Sequence, residues 1–166
     1  AAALSPALRV ADCAYNAGQI VSALQECAGR GIKLAVFPEL ALTGYTCGDL
    51  FFQQALQQAA LQGLARVLQA SEGLDLIALV GLPVAVNGKL YNCAAVVCGG
   101  RLLGLVPKTC LPNYGEFYEK RHFAPGDKRV RTVTVCGQQT LFGTQLLFQC
   151  RQMPEFVLGV ELCEDL

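Results

Sequence analysis

Between Asp75 and Val106 the chain is almost continuously apolar, and its two clear interruptions are Asn87-Gly88 and Gly99-Gly100. Asn-Gly flanked by apolar residues is a strong short-range hairpin signal, and Gly-Gly supplies a second tight turn. The stretch therefore predicts three successive antiparallel strands, Asp75 to Val86, Leu90 to Cys98 and Arg101 to Val106. Strands this apolar belong to a sheet covered on both faces.

Upstream, Leu34-Ala-Val-Phe37 is a short apolar run closed by Pro38, long enough for a buried strand and too short for a helix. Ala1 to Leu4 and Leu8 to Ala11, around Pro6, also read as strands. Ile20, Ala23, Leu24, Cys27 and Ala28 fall at helical spacing after Asn16, which is expected to cap that helix. Asp49 is expected to cap a second helix of about twenty residues, ended by Gly73, with Phe52, Leu56, Ala60, Leu64, Val67 and Leu68 as its stripe. Lys108 to Lys128 lacks a period and reads as a long loop, a type that often carries function. Thr132 to Val135, Thr140 to Phe142, Gln145 to Gln149 and Phe156 to Leu162 complete the strands. The order predicts a mixed α/β architecture.

At 166 residues the chain has room for about one domain. Thirteen basic and thirteen acidic residues cancel, which argues against a nucleic-acid partner, and 53% hydrophobic content argues against a disordered chain. No apolar run is long enough to cross a bilayer, so a cytoplasmic protein without a membrane partner is expected. Only 16% of residues are charged, which suggests surface meant to be covered, for instance by a second copy in a homo-oligomer. The nine cysteines are odd in number and scattered, which reads as reduced core thiols. They lack the C-x-x-C spacing of zinc sites, and the single His122 has no second His beside it, so no metal site is expected.

Three polar residues follow apolar strands directly: Glu39 after Leu34-Ala-Val-Phe-Pro, Lys108 after Leu105-Val-Pro, and Cys163 after Val160-Glu-Leu. In open α/β sheets, reactive groups gather beyond the carboxyl ends of strands. A thiol, a carboxylate and an ammonium together would supply nucleophile, base and oxyanion support for cleaving a C–N bond. Taken singly, each has a plainer reading: a core thiol, a solvated acid and a surface lysine.

The surrounding residues resemble the three blocks of the nitrilase, or carbon-nitrogen hydrolase, superfamily, in its order. These are Phe37-Pro-Glu39-Leu-Ala-Leu-Thr-Gly-Tyr45, Val106-Pro-Lys108-Thr-Cys-Leu-Pro-Asn-Tyr114-Gly-Glu116-Phe117 and Val160-Glu-Leu-Cys163-Glu164-Asp165. The longer runs Gly44 to Phe51, Leu111 to Phe123 and Glu161 to Asp165 are similar to the amidase domains of bacterial glutamine-dependent NAD synthetases. The resemblance implies an α-β-β-α sandwich in which Cys163 attacks the side-chain amide of glutamine. Glu39 would be the base and Lys108 the oxyanion's cation. It further implies that Glu116 orients the lysine, that Tyr114 and Phe117 line the substrate pocket, and that Glu164 receives the α-ammonium of glutamine.

Such a sandwich is longer than this chain, which is expected to be part of an amidase domain truncated after the nucleophile strand. The ATP- and Mg-dependent synthetase domain that amidates deamido-NAD is expected outside it, because residues 1–166 contain no G-x-x-x-x-G-K-[ST] phosphate loop. The amidase part itself is expected to need no cofactor. Two other readings stay open: a stand-alone amidase or carbamoylase of the same superfamily, and a non-catalytic α/β binding module.

Overall fold

The computed structural model describes residues 1–166. Seven strands form one sheet: β1 (Ala2–Ala3), β2 (Leu34–Val36), β3 (Ile77–Val86), β4 (Lys89–Cys98), β5 (Arg101–Pro107), β6 (Arg131–Val135) and β7 (Gln138–Phe142). Their spatial order is β1-β2-β3-β4-β5-β7-β6. β1, β2 and β3 are parallel, β3 to β5 are successively antiparallel, and β7 joins β5 in parallel. The Asn87-Gly88 hairpin forms as expected, with φ of 50° and 75° at the two residues. That pair of left-handed conformations matches the strand twist.

Side-chain alternation divides the faces. Ala78, Val80, Leu82 and Val84 of β3, with Cys93, Ala95 and Val97 of β4, point to one side. There they meet α1 (Cys13–Gly29) through Ala17, Ile20, Leu24 and Cys27, and α2 (Gln54–Ala70) through Leu64, Val67 and Leu68. The opposite side carries a second antiparallel pair, β8 (Leu147–Gln149) and β9 (Val157–Gly159). Ala94, Val106 and Leu162 are buried there with Leu146, Phe148 and Val160 packed around them. Helices on one face and a further layer on the other make the α/β architecture expected of the sandwich. No helix is long and apolar enough to cross a membrane.

Several local expectations are corrected. Leu8 to Ala11 forms no strand. Asp12, not Asn16, caps α1, accepting from the Tyr15 N–H. Asn16 is buried one turn inside, where its amide bonds the backbone of Arg9 and the carbonyl of Leu42. The intended cap Asp49 lies in a 3₁₀ turn over Gly48–Phe52 that precedes α2, and it pairs with Arg121 and His122 instead. Both oxygens of the Asp49 carboxylate accept from the Arg121 guanidinium, so neither is turned to the first N–H groups of α2. The long loop holds one helical turn, α3 (Glu119–His122). All nine thiols are free, but only Cys13, Cys27, Cys47 and Cys93 are buried, so the scattered cysteines are not uniformly core.

Candidate active site

Glu39 stands just beyond β2, in a tight turn stacked directly on β3. A Cβ added at Gly81 would lie 2.3 Å from Leu40 N and 2.6 Å from Pro38 O, so only glycine admits the turn at that spot. Phe37 N donates to Leu79 O and Leu42 N to Gly81 O, pinning the turn from both sides. Leu40 takes a left-handed φ of 53°, which swings the chain back over the sheet.

Lys108 follows β5 and is completely buried, at 0% exposure. Its N–H donates to Asn92 O and its carbonyl accepts from Gly126 N, each at 2.8 Å, so the backbone is clamped on both sides. The ammonium Nζ reaches Glu39 Oε1 and Glu119 Oε1, both at 2.7 Å. Burial opposes its charge, but the bonds to Glu119 and Glu39 outweigh that and hold its pKa above the ordinary lysine value. An ammonium has three donors, and these two contacts leave one for a ligand.

Glu119 is 3% exposed and its Oε1 also accepts from the Tyr45 hydroxyl at 2.6 Å. Burial and the bond to Glu119 push the Tyr45 phenol far up, keeping it protonated and a donor. The Oε1 of Glu39 likewise takes two donors, Lys108 Nζ and Asn92 Nδ2. Each carboxylate thus spends one oxygen on the cation and one further donor. Two carboxylates around one ammonium leave the cluster one negative charge in excess.

Cys163 opens a one-turn 3₁₀ helix, Cys163–Asp165, after the extended segment that follows β9. Its φ is +52°, a left-handed conformation that a side-chain-bearing residue holds only when its surroundings enforce it. Two residues on, the carboxylate of Asp165 accepts from the Thr109 N–H at 2.9 Å, the Cys110 N–H at 2.7 Å and the Thr109 hydroxyl. The thiol turn is therefore tied to the two residues that follow Lys108. Cys163 itself is exposed.

Glu116 does not orient the lysine. It is exposed and lies in the loop before α3, whereas Glu119 meets Nζ three residues later. The turn of α3 carries Glu119 inward, and it is held there by Arg121 on Asp49 and by Phe51 against Phe123, with ring centroids 4.9 Å apart. Tyr114 is 61% exposed and its hydroxyl donates to the Glu164 carboxylate, which raises the phenol's pKa. Phe117 packs edge-on against both Tyr114 and Tyr45, at 5.7 and 6.3 Å. Exposed Tyr114 and Glu164 thus form a rim that half-buried Phe117 joins to Tyr45.

Asn92, Tyr45, Glu119 and Asp165 were not singled out by the sequence reading as site residues. Asn92 carried a signal, being the one polar side chain inside the apolar run Leu90 to Cys98. Nothing local distinguishes Glu119 from Glu116, because both lie in an aperiodic loop.

The family model for carbon-nitrogen hydrolases matches residues 1–166. The glutamine-dependent NAD(+) synthetase of Mycobacterium tuberculosis (strain ATCC 25618 / H37Rv) is 41% identical over 157 residues, 95% of this chain and 23% of its own length. That of Thermotoga maritima is 37% identical over 127 residues, 76% of this chain and 22% of its own length. The chain thus spans about a quarter of the curated relatives it matches. Among solved structures, a glutamine-dependent NAD(+) synthetase from Cytophaga hutchinsonii superposes with a TM-score of 0.89 at 27% identity, covering 98% of this chain and 27% of that one. An amidase from Nesterenkonia sp. shares the fold, with a TM-score of 0.64 at 23% identity over 82% of this chain and 51% of that one. The chain belongs to the carbon-nitrogen hydrolase family.

Proposed function

We propose that residues 1–166 are the first part of the glutamine amidohydrolase domain of a longer, cytoplasmic glutamine-dependent NAD synthetase. The observation that carries this reading is the cluster of half-buried Glu39 with buried Lys108 and Glu119, tied through Asp165 to the Cys163 turn. The 41% identity to a glutamine-dependent relative supports the substrate.

In this reading Glu39 Oε2, the oxygen not occupied by Lys108 and Asn92, takes the Cys163 proton as sulfur attacks the γ-carboxamide carbon of glutamine. The carbonyl π pair moves to oxygen, and the oxyanion is held by the third N–H of Lys108 and by a backbone N–H just after Cys163. Collapse breaks the C–N bond, Glu39 returns the proton to nitrogen, and ammonia leaves a γ-glutamyl thioester. Glu39 then deprotonates a water that cleaves the thioester, giving glutamate and free Cys163. Glu119 keeps Lys108 charged and in place, while Glu164, Tyr114 and Phe117 receive the α-ammonium and the stem of glutamine. The amidase step uses no cofactor or metal; ATP and Mg²⁺ are assigned to the synthetase part, which takes the ammonia to deamido-NAD.

The test is ammonia release from glutamine by the full-length protein and by Cys163→Ala, Glu39→Gln and Lys108→Met. Loss of at least about a thousandfold in the first two is expected, given what nucleophile and base contribute in such sites. Cys163→Ala with undiminished glutamine-dependent turnover would overturn the reading. A full-length protein inert to glutamine but active on another amide or a carbamoyl compound would favour the stand-alone amidase.

A further inference from the structure

Asn92 lies at 1% exposure in the middle of β4, a strand flanked on both sides by β3 and β5. It is engaged at two points: its Nδ2 donates to Glu39 Oε1 at 2.5 Å, and its backbone oxygen accepts the Lys108 N–H at 2.8 Å. One residue therefore holds both the side chain of the base and the main chain of the lysine. The same amide leaves its Oδ1 buried with no partner. An orphaned buried acceptor is unfavourable, and the other residues on this face of β4, Leu90 and Ala94, are apolar. Stability by itself would favour an apolar residue at position 92.

We propose that Asn92 is a positioning residue for the general base. Together with Lys108 it fills Oε1 of Glu39, which stops rotation of the carboxylate and leaves Oε2 as the oxygen free for the Cys163 proton. A hydrogen bond given to a carboxylate favours its ionised form, so removal of the Asn92 donor is expected to show in the pH profile. The charged and titratable groups packed at Glu39 are Lys108 after β5, Glu119 of α3 through Lys108, and Tyr45 of the loop after β2 through Glu119. Asn92 is the neutral side chain that donates to Glu39 itself. The inference rests on the reading of Glu39 as the base of Cys163.

The experiment compares full-length wild type with Asn92→Leu, Asn92→Asp and Glu39→Gln. It measures the pH profile of kcat/KM for glutamine hydrolysis, and the pH dependence of Cys163 alkylation by iodoacetamide, followed by peptide mass spectrometry. Loss of one hydrogen bond to a charged group predicts a fall in kcat of about 10- to 100-fold in Asn92→Leu, with KM nearly unchanged. The acidic limb of the rate profile moves to higher pH in both Asn92 variants. In Asn92→Asp it moves because two adjacent carboxylates cannot both ionise freely. That variant keeps the side chain's shape and carries the test should Asn92→Leu fail to fold. Profiles and alkylation unchanged in the Asn92 variants, while Glu39→Gln alters both, would overturn the role of Asn92 and leave the base standing. Unchanged alkylation and turnover in Glu39→Gln would remove the base, and this proposal with it.

Discussion

Replacing Glu119 by Gln removes one negative charge beside Lys108 and keeps the side chain's shape. Glu119 Oε1 accepts from Lys108 Nζ at 2.7 Å and from Tyr45 at 2.6 Å, at 3% exposure. Stripping one partner from a buried ion pair typically costs about 3 to 5 kcal/mol. Here Lys108 keeps Glu39, and the glutamine oxygen still accepts one of the two donors, so the loss falls to about 2 to 3 kcal/mol, near the value of one charged hydrogen bond. Because that pair fastens α3 to β5, the loss should be felt as local opening of the loop. At about 1.4 kcal/mol per tenfold, amides in Leu111 to Phe123 should exchange hydrogen roughly 30- to 150-fold faster. Turnover of glutamine should fall as well, because the lysine loses its second anchor. Glu116→Gln, at an exposed position without a bond to Lys108, should change stability by no more than about 0.5 kcal/mol. Hydrogen exchange read by mass spectrometry on both variants of the full-length protein checks this. Equal effects from the two substitutions, or a larger one from Glu116→Gln, would refute the assignment of the lysine's second carboxylate to Glu119.

Two further perturbations probe the frame around the site. Gly81→Ala puts a Cβ 2.3 Å from Leu40 N and 2.9 Å from the Glu39 carbonyl carbon, against backbone that cannot step aside. It should destabilise by about 1 to 3 kcal/mol and lower kcat together with stability, since the turn that carries Glu39 would shift; a melting curve and initial rates measure both. Asp49 is held to about 2, below its usual 3.8, by Arg121 first and His122 second. A depressed folded-state pKa contributes stability above the unfolded pKa and loses it as pH falls through the folded one. The melting temperature of wild type should therefore exceed that of Asp49→Asn at pH 6, and the gap should close between about pH 4 and pH 2. High salt should narrow it at pH 6, because the pair is exposed.

The strands from β3 to β5 were legible because their turns and alternation are local properties: Asn87-Gly88 dictates a hairpin wherever it occurs between apolar runs. Glu39, Lys108 and Cys163 were legible because each closes an apolar run of the sequence, and because blocks around them resemble a family. Helix starts were less so. Asp12, Asn16 and Asp49 are all good capping residues, and which of them caps is decided by partners distant in sequence, such as Leu42 for Asn16 and Arg121 for Asp49. The same holds for Glu119, whose role depends on α3 turning it toward a lysine eleven residues back, and on Tyr45, 74 residues away in sequence. Propensity reports what a segment prefers, whereas these contacts are made only once the sheet has assembled.

The central claim is that Cys163 carries the glutamyl group. Full-length protein mixed with glutamine and quenched in acid within one turnover should yield, on peptide mass spectrometry, Cys163 bearing the mass of one γ-glutamyl group. The adduct should be absent from Cys163→Ala. Ammonia released with no adduct on Cys163, or an adduct on another residue that survives Cys163→Ala, would contradict the account.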